Sequence, residues 1–421
     1  MKKIDILILF ICLAGFICSG MQPKEQFAAT VLDEVWQEVA RSHFRKDFDT
    51  LYRKSVYEKF RPTILQSQDV PALTANLNKM LEAIGDSHLH LLGPEDGPDK
   101  SIRPVENPGP EVPPADPGFT VLSCGRELQV WHVRPGSAAA EADIRPGDVL
   151  LAVEGLEIRH DPDAAIPRIM TVTSLLERGG AGSICEVRLR SAADGSIRNL
   201  RLKRSIHGGN FYQTSVMPAM VLRYESRMLD DRTGYLRFNI FVPEVVRKFR
   251  KDRRNGILKN AANLIIDLRG NPGGILLTAE WMGAWCFPAR VPLGTLIIDG
   301  VKLAPVTEPQ KGCFHGKTVV LVDENSASTS EFFAAAVQDS KIGRVAGSQT
   351  QGKCLPSLFL SLPSGFRLQT VSGEAKRPSG KDIEKIGITP DIPVENGFEN
   401  GQDKVLAKVL AILTEEGKKN E

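Results

Sequence analysis

Several things are scarce in this 421-residue chain, and each scarcity excludes something. Neither charge sign dominates: 53 Lys and Arg face 51 Asp and Glu, a net charge of +2. That balance offers no basic field for nucleic acid. The one dense run, "RKFRKDRR" from Arg247 to Arg254, reads as a solvated helix face. Cysteines are few and scattered. Beyond the amino-terminal segment there are five, Cys124, Cys185, Cys286, Cys313 and Cys354. An odd count without close spacing is no disulfide framework, and no CxxC or His/Cys cluster points to a metal. An oxidising compartment would permit one pairing, Cys124 with Cys185 or Cys286 with Cys313. No long internal repeat is present. The amino-terminal apolar run, Ile6 to Cys18, is 13 residues, too short to span a bilayer. With Lys2 and Lys3 before it and Ser19 and Gly20 after it, the run fits an export signal cleaved near residue 20. Ile17 is a poor residue before a lipidated cysteine, so a lipid anchor at Cys18 is the lesser option. The mature protein is expected to be exported, periplasmic or secreted.

What remains is ordinary globular material, 42% hydrophobic and 25% charged. The length exceeds what one core usually holds, so two or three domains are expected. Residues 21–92 read as helical: Phe27, Val31, Val35 and Val39 recur every four residues, as do Leu73, Leu77 and Leu81 before Gly85. Residues 93–117 hold eight prolines and read as an extended linker. From 118 to 205 the pattern becomes short strands with turns, a β-rich module. Residues 206–398 alternate strands ("GYLRFNIF", "NLIIDL", "TVVLV") with helical stretches, which argues for an α/β layered core. A last helix is expected within 399–421, with Val405, Leu406, Val409, Leu410 and Leu413 on one side.

The middle module carries "VRPGSAAAEADIRPGDVLLAVEG", Val133 to Gly155. Turn, small-residue helix, turn and strand follow the order of a PDZ domain, which this stretch resembles. PDZ domains bind C-terminal peptides by adding a strand to a sheet edge, with backbone amides capturing the terminal carboxylate. The resemblance implies a carboxylate loop near Gly118, Phe119 and Thr120. A packing module that binds no peptide is the plainer alternative.

Two stretches of the core could carry chemistry. "IIDLRGNPGG", Ile265 to Gly274, is an apolar strand running into a turn bare of side chains. Such a turn can present backbone amides to an anion. "NSASTSEFF", Asn325 to Phe333, packs four hydroxyls before two phenylalanines. It is a helix cap or a nucleophile loop on its residues alone. Together with "GSQTQGK" and "GITPDIPV", these stretches resemble the C-terminal processing (tail-specific) serine proteases. The likeness extends over roughly residues 25–395. It implies a crotonase/ClpP-like protease core with an inserted PDZ-like module and an N-terminal helical region, in the α/β class. That family uses a Ser-Lys dyad. Its Ser-x-Ser-Glu stretch matches Ser328 to Glu331, and its Gly-Lys falls on Gly352-Lys353, 25 positions after Ser328. Ser328 is therefore the expected nucleophile and Lys353 its base, with Ser326 and Ser330 as cap and packing hydroxyls. Backbone amides of Gly273, Gly274 and Thr329 are the implied oxyanion donors.

The chemistry sets a physical demand. A serine hydroxyl is a weak nucleophile without a neighbouring base, and lysine titrates near 10.4, so about one amine in 10³ is neutral at pH 7. Burial lowers that value by disfavouring the ammonium. The residues next to Lys353 (Gly352, Cys354, Leu355, Pro356) include no acid that would hold it charged. Many relatives place a glutamine four residues after the lysine; here that position is Ser357, whose hydroxyl is expected to give the amine support at shorter reach. Asp339 lies eleven residues along the expected helix from Ser328, roughly 16 Å away, so a supporting role is expected rather than a triad. Among seven histidines, only "GDSHLH", Gly85 to His90, forms a cluster. It is expected to be a structural loop at the edge of the helical region.

The expected function is an exported serine endopeptidase that takes proteins with accessible C-terminal tails, without a cofactor. A non-catalytic peptide- or lipophile-binding protein on the same scaffold is the alternative, disfavoured by an intact Ser328 and Lys353.

Overall fold

The computed structural model describes residues 23–94, 115–158, 169–177, 179–206, 210–214, 217–399 and 401–418. The expected export signal and most of the proline-rich segment lie outside the described residues.

The amino-terminal region is helical because its apolar residues repeat at helical spacing. Helix α1 (Pro23–Ser42) buries Val31, Leu32, Val35 and Val39, and α2 (Glu58–Leu65) and α3 (Val70–Glu82) pack beside it. Asp69 caps α3, its carboxylate accepting the Ala72 amide at 2.8 Å. This region is tied closely to the core. Leu32, Leu73 and Leu77 share one apolar cluster with Leu355, Leu362, Phe366 and Leu368. Strand His90–Leu92 pairs antiparallel with Arg367–Val371, which in turn pairs with Ser357–Ser361. The loop from Gly85 to His90 is thereby delivered to the hairpin that follows Lys353.

The second unit is a six-stranded antiparallel sheet whose main path runs β1 (Phe119–Cys124), β2 (Glu127–Val133), β3 (Val149–Val153), β4 (Ile184–Arg190), β5 (Ile197–Lys203), with the short strand Leu156–Glu157 pairing off β3 and helix α4 (Ile169–Glu177) closing it. Strand β1 is at the sheet edge. Its inward residues Phe119 and Val121 join Leu128, Val130, Leu150 and Leu189 in a separate core.

The third unit is a six-stranded sheet in the order β6 (Tyr224–Met228), β7 (Thr233–Phe238), β8 (Asn263–Asp267), β9 (Lys317–Val322), β10 (Gly343–Gly347), β11 (Ile392–Pro393). All neighbours are parallel except β6 and β7. Both faces of β8 are covered, so its side chains alternate between two apolar layers. Leu264 and Ile266 face helices α5 (Pro243–Asn255), α6 (Leu276–Cys286) and α7 (Thr329–Asp339), while Ile265 meets Val405, Val409 and Leu413 of α8 (Lys404–Lys418). The sheet sits between two helical layers, an α/β core. Its strand ends carry the two chemical motifs: β8 runs into the glycine turn, and β9 into the hydroxyl-rich loop.

The sheet of the second unit rests on these loops. Trp131 of β2 lies under the Arg269 guanidinium, 4.3 Å from ring centroid to carbon, and against Phe398 at 4.9 Å. The Asn325 amide donates to the Ser123 hydroxyl at 3.0 Å, and the Asn396 amide to the Ser123 carbonyl at 3.1 Å. All five described cysteines are buried free thiols.

Candidate active site

Strand β9 ends at Val322, and the chain turns through Asp323 to Ala327 before α7 begins. Asp323 organises the turn: its carboxylate accepts the Gly270 amide at 2.9 Å and the Asn325 amide at 3.0 Å. Ser326 donates to the Leu268 carbonyl at 2.8 Å and Ser330 to the Asn271 carbonyl at 2.9 Å. Both hydroxyls are buried and engaged in stitching the hydroxyl loop to the glycine turn. Ser328 differs from them. It is half-buried at the cap position just before α7, with φ +55° and ψ −119°. A non-glycine residue at positive φ costs about 1–3 kcal/mol and persists only where surrounding contacts enforce it.

Two contacts enforce it. The Ser328 amide donates to the Lys353 carbonyl at 2.8 Å and to Glu331 Oε2 at 3.0 Å. Glu331 is the junction of the site. Its buried carboxylate also accepts the amides of Gly352 (2.8 Å) and Lys353 (3.0 Å), and the Thr350 hydroxyl. Burial pushes its carboxyl above the usual range, against the pull of these donors. A side chain that receives only donors is served best as the anion. Sequence reasoning placed Glu331 in the motif without a role, because the role depends on contacts about twenty residues away.

The glycine turn packs directly against Ser328. At Gly273, φ +105°, a Cβ would come within 2.8 Å of the Ala327 carbonyl, the Ser328 Cβ and the Thr329 nitrogen. At Gly274, φ +131°, it would come within 2.5 Å of the Phe241 carbonyl. Of the three amides expected to serve as oxyanion donors, Gly273's is engaged, donating to Asn271 Oδ1 at 2.9 Å. In this conformation the Gly273 amide is turned away to Asn271, and Gly274 lies beside Thr329 at the helix start. The Thr329 hydroxyl donates to the Gly274 carbonyl at 2.7 Å and holds the two segments in register.

Lys353 is half-buried. No acid adjoins it in the sequence, yet folding brings two carboxylates to its segment: Glu331 on its own amide, and Glu384, which accepts the Cys354 amide at 2.9 Å. Glu384 also takes the Ser87 hydroxyl at 2.8 Å and the Ser87 amide at 3.0 Å. With its proton given to Glu384, Ser87 accepts from His88 Nδ1 at 3.0 Å, so His88 Nε2 carries the lone pair. Burial and then the Lys353 charge push His88 down to about 4. The expectation that "GDSHLH" only shapes the edge of the helical region is therefore too small. The loop is anchored by the buried His43–Asp86 pair (3.1 Å), and it places His88 within electrostatic reach of Lys353. The strand pairing responsible joins residues nearly 280 positions apart, beyond any local pattern.

The remaining expected residues lie as follows. Ser357 opens the hairpin strand, and its hydroxyl accepts the Gln369 side-chain amide at 3.0 Å. Asp339 is at the far end of α7, where it clamps Arg377 through contacts of 2.7 and 2.9 Å. Gly118 immediately precedes edge strand β1, which Phe119 and Thr120 begin. The Gly118 amide donates to Asp116 Oδ1 at 2.7 Å, and Phe119 is buried in the core of that unit. Asp116 pairs with Arg134 and with Arg223, which also holds Glu177.

Comparisons with known proteins agree with this layout. Residues 232–394 match the family model of peptidase family S41, and residues 130–169 that of the PDZ domain. Among curated proteins, the chain is 27% identical over 383 residues to a chloroplastic C-terminal processing peptidase of Tetradesmus obliquus, covering 86% of this chain and 76% of that protein. It is 25% identical over 364 residues to a carboxyl-terminal-processing protease of Picosynechococcus sp., covering 86% and 82%. Among solved structures, the photosystem II D1 C-terminal processing protease superposes with a TM-score of 0.56 at 22% identity, over 89% of this chain and 94% of that one. The tricorn protease does so with a TM-score of 0.54 at 17% identity, over 93% of this chain and 37% of that one. The core thus has the crotonase/ClpP-like protease fold, with the β-rich unit as its PDZ module. The segment 232–394 is thus similar to peptidase family S41, and the chain is a serine peptidase with a PDZ domain.

Proposed function

We propose that the protein is an exported endopeptidase that cleaves proteins near their C-terminal tails through a Ser328–Lys353 dyad. The observation that carries this is the strained Ser328, wedged between the glycine turn and the main chain of Lys353. Lys353 takes the hydroxyl proton as Ser328 Oγ attacks the scissile carbonyl. The oxyanion forms toward Gly274 and Thr329, where the amino-terminal end of α7 adds its positive dipole. The protonated amine then hands its proton to the leaving nitrogen, and water releases the acyl-enzyme by the same route. No cofactor takes part. Relatives named for C-terminal processing support tails as substrates, and the open edge of β1 suits an extended peptide.

His88 offers a second base. Its lone pair on Nε2 and the Ser87–Glu384 chain behind it resemble a relay, and the Lys353 charge reaches it. Each base has its own signature. Lys353→Ala abolishes turnover if the amine is the base, whereas His88→Gln does so if the imidazole is. The non-catalytic alternative is excluded by a serine-reactive probe that labels the wild type and leaves Ser328→Ala unlabelled. It is upheld if neither protein is labelled while tails still bind.

A further inference from the structure

Helix α5 reads PEVVRKFRKDRRN. Val245 and Phe249 go into the core, and the rest of the helix is left to solvent and its neighbours. Six cations and two acids give it a charge of +4 in a chain whose total is +2, so everything else carries a net −2. The two acids are already engaged. Glu244 pairs with Arg247, and Asp252 accepts the hydroxyls of Tyr224 and Ser226, each at 2.7 Å. Arg247, Arg250, Lys251 and Arg254 are exposed.

Beside this cationic face, α6 turns two large apolar side chains outward, Leu277 at 46% and Trp281 at 42% exposure. Trp281 and Trp285 line the groove between the two helices together with Val246 and Arg250. The Arg254 guanidinium covers Trp285 at 4.7 Å.

We propose that the α5–α6 face docks on an anionic phospholipid bilayer. Guanidinium and ammonium groups meet the headgroup phosphates, and Trp281 and Leu277 enter the boundary between headgroups and acyl chains. The charge complements an anionic leaflet, which attracts each nearby cation by roughly fivefold in affinity. The indole is the second argument: its amphipathic ring favours that boundary. An acidic protein would use the cations but leave Leu277 and Trp281 in water. Position is the third. Trp281 lies five residues along α6 from Leu276, about 8 Å of helix rise, so a docked face holds the glycine turn that precedes α6 close to the bilayer surface. Peptidase chemistry is not required for docking, so the two proposals fail separately.

The test is flotation of the full-length protein with vesicles of phosphatidylcholine alone and of phosphatidylcholine with an equal part of phosphatidylglycerol. Any amino-terminal apolar run left uncleaved contributes to both, so the ratio of the two affinities isolates this face. Wild type is expected to prefer the anionic vesicles by more than tenfold at low salt, and the preference should fall steeply by 0.5 M salt. Arg250→Glu with Lys251→Glu should bring the ratio within threefold of one, with activity on a soluble peptide retained. Should the double reversal fold poorly, Arg250→Gln with Lys251→Gln should halve the preference or more. Quenching of Trp emission by brominated lipid should weaken in Trp281→Phe. A wild-type ratio near one, a ratio untouched by either double variant, or retention on polyglutamate resin without vesicle binding overturns the proposal; the last result assigns the face to an acidic protein.

Discussion

The backbone amide of Ser328 donates to the backbone carbonyl of Lys353 at 2.8 Å, so the two residues proposed to share a proton are joined by their main chains. That bond fixes where the lysine side chain starts and holds Ser328 at φ +55°. The dyad is thus assembled by backbone contacts, with Glu331 gathering both segments.

Glu331 should therefore matter more than any residue that only fills space. Glu331→Ala strips the acceptor from four donors, each costing about 1–3 kcal/mol if left buried and unpaired. We expect a melting temperature lowered by 10 °C or more. Glu331→Gln, which keeps the volume but turns an NH2 toward amide donors, should lower kcat at least 10²-fold with KM within threefold. Wild-type kcat in Glu331→Gln contradicts the assembly described here.

Gly273 tests the fit of the glycine turn. Gly273→Ala places a methyl within 2.8 Å of three atoms of the hydroxyl loop, at φ +105°. Activity should drop by more than 10²-fold. Gly125, at φ +62°, is the control, because a methyl there would meet nothing within 4 Å. Gly125→Ala carries the same kind of backbone penalty without that clash and should keep kcat within a factor of two.

His88 should make the fold acid-sensitive. Burial and the Lys353 charge hold it down at about 4, against about 6.5 in the unfolded chain. Between those values the unfolded state binds the proton and the folded state does not, so stability falls as pH drops from about 6.5 to about 4. His88→Gln should flatten that slope, read as melting temperature at pH 4.5 against pH 7.5. An unchanged slope removes His88 from the buried site.

Glu324 should act in the opposite direction. Burial and the neighbouring Asp323 push it up to about 7, from about 4.3 unfolded. The folded protein holds this proton where the unfolded chain has lost it, so the contribution is full below about 4.3 and disappears as pH rises through 7. Glu324 precedes Asn325, whose amide ties the loop to Ser123 of the PDZ unit. Glu324→Gln should melt higher than wild type at pH 8 and match it near pH 5.

The sequence made the ladder of elements legible because both periodicities are strong. The buried stripe of α1, the two-faced run Asn263–Asp267 and the glycine turns all follow from residue type and spacing. Helix α7 begins at Thr329 with Ser328 just outside it. Asp339, paired with Arg377, lies at the opposite end, as helix rise requires. What spacing could not convey was anything joined across the fold. Glu331 reaches Gly352 and Lys353, and Glu384 reaches Ser87 and Cys354. The linear neighbourhood of Lys353 holds no acid, while its three-dimensional neighbourhood holds two.

The most direct measurement is the rate at which a fluorophosphonate probe labels Ser328, followed by peptide mass spectrometry from pH 5 to pH 11. With Lys353 as the base, the adduct should sit on Ser328 alone. Its rate should rise with pH as the base loses its proton, and Lys353→Ala should slow it by about 10³-fold or more. Labelling of Lys353→Ala at the wild-type rate, or an adduct on Ser326 or Ser330, would contradict the dyad.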